Sequence, residues 1–170
     1  MISKEDKQIF MQAAFSEAEK ARQKDEVPIG AVVVKDSQII GTGHNEREEK
    51  QDATLHAETT AIRMACEYLN SWRLEGCQLF VTLEPCPMCA GAIINSRIET
   101  VYYSAFDPKA GACGSVLDLF AVEKLNHHPR AYGGLYLDQG KQILKTFFSR
   151  YQKTSKTSEK KVEKNNADTL

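Results

Sequence analysis

One stretch constrains this chain more than any other. The apolar run Gln78 to Leu83 is followed at once by Glu84-Pro85-Cys86-Pro87-Met88-Cys89-Ala90-Gly91-Ala92. The run reads as a strand and Pro87 to Ser96 as a helix. Pro87 suits a first helical position, where no backbone N–H is needed. A spacing of three then places Cys86 and Cys89 on one helix face, at the end whose partial positive charge favours thiolates. Thr100 to Ser104 follows as another strand, so the stretch forms one strand–helix–strand unit.

The rest of the chain supplies further elements. Ser3 followed by Asp6 marks a capped helix start, and Ile9, Phe10, Ala13, Ala14 and Ala21 lie near one side of a helix ending around Lys24. Ile29 to Val34 is β-branched and apolar, a buried strand. Asp36-Ser37 turns it into a partner, Gln38 to Gly43, so a hairpin joins the crossover unit in a mixed sheet. A polar loop is expected from His44 to Asp52. A helix follows from His56, with Ala57, Ala61, Met64, Ala65 and Tyr68 as its apolar set, ending near Asn70-Ser71. Asp107 to Gly114 is a glycine-rich loop without the spacing of a phosphate-binding loop. Beyond it the pattern predicts a short helix over 117–125, a last strand over 130–137 and an amphipathic helix over 139–151, with Ile143, Leu144, Phe147, Phe148 and Tyr151 at helical spacing. Residues 1–151 therefore read as one domain and 152–170 as a polar, mildly basic, disordered tail.

No apolar run approaches membrane-spanning length, and the first residues hold no apolar signal core. Five scattered cysteines without an export signal read as reduced and cytoplasmic. The formal net charge of -1 means that any nucleic-acid ligand needs a local basic patch. Lys109, Arg130, Lys141, Lys145 and Arg150 are the candidates for it; solvated surface side chains are the plain alternative.

The two thiols find a companion upstream in His56-Ala57-Glu58. One imidazole and two thiolates make three ligands for zinc, whereas a closed structural site normally has four. Cys77 precedes a strand that carries it away, and no local spacing supports Cys113 or the pair at 127–128. Three ligands leave a position for water, which zinc activates near neutral pH. Glu58 is then a proton carrier: hydrolysis at an amidine-like carbon needs a proton taken from water and protons delivered to a ring nitrogen and to departing ammonia. A structural zinc site or buried thiols leave Glu58 unexplained, and a Cys86–Cys89 disulfide conflicts with the compartment. One geometric condition applies. Residues two apart in a helix diverge by about 200°, so His56 and Glu58 share a metal only if His56 sits at the irregular helix start.

The paired His-x-Glu and Pro-Cys-x-x-Cys motifs resemble the zinc-dependent cytidine and deoxycytidylate deaminase superfamily. Ala53 to Glu58, Val81 to Ala92, Ser96-Arg97-Ile98, Glu26 to Ala31 and Asp107 to Ala112 are similar, more narrowly, to bacterial tRNA-specific adenosine deaminases, and the likeness runs from about Phe10 to Tyr151. It implies a three-layer α/β fold of the cytidine-deaminase type, with a mixed five-stranded sheet flanked by helices. It implies zinc on His56, Cys86 and Cys89, with Glu58 catalytic. Asn45 would read the flipped base, Val27 and Pro28 would pack near it, Ala57 would offer its backbone N–H, and Asp107 would lie beside the sugar-phosphate backbone. Taken alone, Asn45 reads as a turn residue and Pro28 as an ordinary connection. The implied reaction is adenosine to inosine at the wobble position of a tRNA anticodon, by a cytoplasmic homodimer. A deaminase of free guanine or cytosine would share the metal motif, and a noncatalytic zinc-stabilised tRNA-binding protein is the alternative of another class.

Overall fold

A computed structural model describes residues 2–150. The expectation for the 152–170 tail and the place given to Tyr151 lie outside that range. The chain runs α1 (Lys4–Gln23), β1 (Gly30–Lys35), β2 (Gln38–His44), α2 (Arg47–Lys50), α3 (Ala57–Leu69), β3 (Gln78–Leu83), α4 (Pro87–Ser96), β4 (Thr100–Ala105) and β5 (Arg130–Tyr132), followed by a helix, α5, over 137–150. Ser3 caps α1 by accepting from the Asp6 N–H at 2.9 Å.

The strands form one sheet in the order β2-β1-β3-β4-β5. β1 pairs antiparallel with β2 and with β3, whereas β3–β4 and β4–β5 are parallel. Asp36 and Ser37 both take positive φ, 47° and 58°, as a two-residue hairpin matched to strand twist requires.

Both faces of the sheet are covered, which is why β1 is apolar and buried from Gly30 to Val34. Val32, Val34, Phe80 and Tyr102 face α1 through Phe10, Met11, Ala14 and Phe15, with Ile143 of α5 packed alongside. Ala31, Val33, Leu79, Val81, Val101 and Tyr103 face the layer of α3 and α4. The α3 contact is made of small residues. Ala57, Ala61 and Ala65, spaced by four, meet Gly41 and Gly43 of β2, and a Cβ at either glycine would overlap the α3 backbone. We expect Gly43→Ala to destabilise the fold by about 1–3 kcal/mol through overpacking. Thermal denaturation checks this; an unchanged melting temperature would show that α3 can retreat freely.

Several expectations are corrected. The 117–125 segment is a series of turns, because Asp118 Oδ1 accepts from Phe120 N and Ala121 N and its backbone bridges to Cys113. The last strand stops at Tyr132, where Gly133 packs against the Tyr103 ring. The polar loop after His44 holds the short helix α2. Ile9, Met64 and Tyr68 are exposed, while Met11, Phe15, Ala18, Glu58 and Ile62 take buried places on their helices.

Candidate active site

α3 and α4 both begin where β3 and β4 end. His56 is the N-cap of α3 with extended backbone, φ -83° and ψ 159°, and Cys86 is the N-cap of α4, with Pro87 in its first turn. An extended His56 lies off the helical rotation, which meets the geometric condition on His56 and Glu58. Neither residue spends its side chain on capping its own helix. His56 Nδ1 stands 3.6 Å from Cys86 Sγ and 3.4 Å from Cys89 Sγ. The three ligand atoms lie within 4.8 Å of one another, and among the described residues no other group of three or more His, Cys, Asp or Glu side chains is close enough to hold a metal. One imidazole and two thiols suit zinc, with soft sulfur ligands and no fourth protein donor.

The titration of the cluster follows from its contacts. The Cys89 thiol donates to Cys86, which with His56 brings Cys86 down to about 4 against the cost of burial. The same hydrogen bond, with burial, pushes Cys89 far up, so the metal-free pair keeps one proton, on Cys89. His56 is raised by its hydrogen bond to Cys86. Glu58 is 4% exposed, and burial holds its carboxyl at about 7 despite the opposing effect of His56. A buried carboxyl poised there can both take and give a proton near neutral pH.

A cavity of about 180 Å³ opens onto this cluster, lined by Val27, Ile29, Asn45, Arg47, His56, Glu58, Leu83, Glu84, Cys86, Asp107 and Ala110. A second cavity, of about 250 Å³, lies at the other end of the sheet around Ile2, Asp6, Val34 and Gln78, far from the cluster. Asn45 is 3% exposed and its Oδ1 accepts from Ala57 N at 3.2 Å, so it caps α3 from a neighbouring segment. The Ala57 N–H that the resemblance offers to a base is thus engaged within the protein. Pro28 is buried behind the wall, whereas Val27 faces the cavity. Asp107 Oδ1 accepts from Lys109 N and Ala110 N and fixes its own turn. Arg130 pairs with Thr100 at the opposite end of β4 and so stands away from the cavity.

Sequence reasoning passed over Ile29, Arg47, Leu83, Glu84 and Ala110 as lining residues. It also passed over Glu26, 1% exposed, whose carboxylate accepts from Glu49 N at 2.8 Å. That bond supplies α2 with the side-chain cap that Glu46 does not provide. An acid directly before Val27-Pro28 was the available signal.

The family model for MafB19-like deaminases matches residues 5–152. A tRNA-specific adenosine deaminase of Bacillus subtilis is 44% identical over 155 residues, covering 91% of this chain and 96% of that protein. A solved structure from a study of A-to-I editing by tRNA:A34 deaminases superposes with a TM-score of 0.78 at 47% identity, covering 81% of this chain and 99% of its own. A guanine deaminase from Bacillus subtilis gives 0.57 at 40% identity, over 62% of this chain and 66% of its own. The chain belongs to the MafB19-like deaminases and, among them, to the family of tRNA-specific adenosine deaminases.

Proposed function

We propose that this protein hydrolyses adenosine to inosine, with release of ammonia, at the wobble position of a tRNA anticodon. His56, Cys86 and Cys89 hold zinc, which when bound supplies activation of water near neutral pH. Glu58 takes a proton from the attacking water and delivers protons to the purine ring nitrogen and to the departing ammonia. Its burial, at 4% exposure, two residues from the ligand His56 is the observation that carries the reading. Val27 and Ile29 give the base an apolar wall, Asn45 presents its amide to the base edge, and Asp107 and Ala110 face the sugar side. Asn45 performs two tasks at once, since the oxygen that caps α3 fixes the direction of its amide nitrogen.

The solved tRNA:A34 deaminase matches over most of both chains, whereas the guanine deaminase matches less of each, and this favours an RNA-held adenosine over a free base. RNA binding draws on Lys109 beside the cavity and on Lys141, Lys145 and Arg150 of α5. We place the enzyme in the cytoplasm as a homodimer. The free thiols of Cys66, Cys77, Cys86, Cys89 and Cys113 support the compartment, and no described helix is long and apolar enough to cross a membrane.

The deciding experiment incubates zinc-loaded protein with an adenosine-containing anticodon stem-loop and, separately, with free guanine, cytosine and nucleosides. Inosine in the stem-loop alone is the expected result. Ammonia from a free base or nucleoside overturns the substrate assignment, and RNA binding without any product identifies a noncatalytic protein.

A further inference from the structure

Glu84 follows the last residue of β3 and precedes Pro85-Cys86, yet its carboxylate is bonded to the 107–115 loop. It is 2% exposed and lines the cavity beside Asp107. Its partners lie 23 to 31 residues further along the chain. Oε2 accepts from the Asp107 backbone N–H at 3.1 Å and from the Ser115 hydroxyl. Oε1 accepts from the Cys113 and Ser115 backbone N–H groups, each at 3.0 Å. Four donors from one loop thus converge on one carboxylate, and both oxygens are used. Gly111 rests directly on it: a Cβ there would stand 2.5 Å from Glu84 Cδ and 2.6 Å from Asp107 O.

This loop contributes Asp107 and Ala110 to the lining of the cavity that Val27 and Asn45 also line. One further bond attaches it to the sheet end: Ala112 N donates to Pro85 O at 2.8 Å, while Glu84 N donates to the carbonyl of Ala105, the last residue of β4, at 2.8 Å. A buried carboxylate that accepts several backbone N–H groups fixes those groups with charge-assisted strength. An uncharged amide in its place would turn N–H donors towards N–H donors, and at least one buried group would lose its partner.

We propose that Glu84 is a positioning residue for substrate capture: through the 107–115 loop it sets the place of Asp107 and Ala110 against the bound nucleotide, and it takes no part in proton transfer. The proposal rests on the deaminase function given above. It assigns Glu84 to the KM side of the reaction, whereas Glu58 belongs to the kcat side.

The test compares full-length, zinc-loaded wild type with Glu84→Gln on the anticodon stem-loop, with zinc per chain measured in the same preparations. The expected result is equal zinc, KM raised roughly tenfold or more, and kcat within a factor of about two of wild type. Amide exchange should quicken at Asp107, Cys113 and Ser115 while α1 keeps its protection. Ser115→Ala removes one of the donors and keeps the carboxylate; it should raise KM in the same direction, roughly threefold. An unchanged KM in Glu84→Gln, or a fall confined to kcat, overturns the proposal. If Glu84→Gln does not fold, an unchanged KM in Ser115→Ala overturns it instead. A wild type that forms no inosine overturns the deaminase reading itself, a different outcome from an active wild type matched by its variants.

Discussion

Glu58→Gln should keep its metal and lose roughly 10²–10⁴-fold in turnover, the span that a positioned proton carrier contributes. The amide has nearly the same shape, so the buried site can close around it. It cannot accept a proton from water at neutral pH, nor hold one for the ring nitrogen. His56, Cys86 and Cys89 are untouched, and metal per chain should equal that of wild type. Single-turnover inosine formation on a stem-loop, with metal analysis of the same sample, checks both halves. Wild-type turnover in the variant would remove Glu58 from the mechanism.

The same substitution has a signature in stability. In metal-free protein burial holds the Glu58 carboxyl at about 7, against 4.5 for the unperturbed group. Between these values the folded chain retains a proton that the unfolded chain has released, so this group's contribution to stability falls as pH rises. Glutamine has no such proton. The melting temperature of Glu58→Gln should therefore climb relative to wild type from pH 4.5 to about 7 and then stay level. Taking the difference between the two proteins cancels the titration of groups remote from the site, and the coupling of Glu58 to His56 and Cys86 stays within the difference. Chelated samples melted across that range give the measurement, and a flat difference would mean that Glu58 is ionised in the folded chain throughout.

Cys89→Ala is the second large effect. Loss of a group that only supports a ligand typically costs 10–100-fold in metal affinity, and removing a ligand outright should cost more than about a hundredfold. After dialysis the variant should hold little metal and convert no detectable adenosine. Cys66→Ala, half-buried on α3 and outside the ligand cluster, should keep both. Binding has a proton count as well. In the metal-free cluster Cys86 is already a thiolate, while Cys89 keeps its proton. Metal uptake at neutral pH should therefore release about one proton from Cys89 in wild type, in addition to any from His56. Calorimetry in buffers of different ionisation enthalpy reads that number. A Cys89→Ala protein that binds metal as tightly as wild type would place the site elsewhere.

Much of this architecture was legible in the chain because local signals and tertiary demands agreed. The bounds of β3 and α4 follow directly from the apolar run, the two prolines and the cysteine spacing. The face of α3 was less legible. Met64 and Tyr68 carry the apolar surface that a periodicity argument weighs most, yet they are 49% and 64% exposed. The buried face instead uses alanines against glycines, where closeness of backbones replaces side-chain bulk. The 117–125 segment failed for another reason: Asp118 offers its own backbone a competing turn. Glu84 gave no local sign at all, since every donor to its carboxylate arrives from beyond β4. His56, Glu58, Cys86 and Cys89 stood out because each motif is compact and the pair, His-x-Glu with Pro-Cys-x-x-Cys, resembles a known one.

The alanine–glycine seam between α3 and β2 also sets how the protein can drift. On the aromatic side of the sheet a change in Phe10, Phe15, Phe80 or Tyr102 can be absorbed by repacking neighbours of comparable size. On the other side the atoms facing Gly41 and Gly43 include carbonyl oxygens and amide nitrogens of α3. A backbone atom has no smaller version for a compensating mutation to supply. Substitution is thus absorbed more readily on the layer that supports the domain than on the layer that carries His56 and Glu58, where the closeness of two backbones holds the start of α3 in register with the sheet.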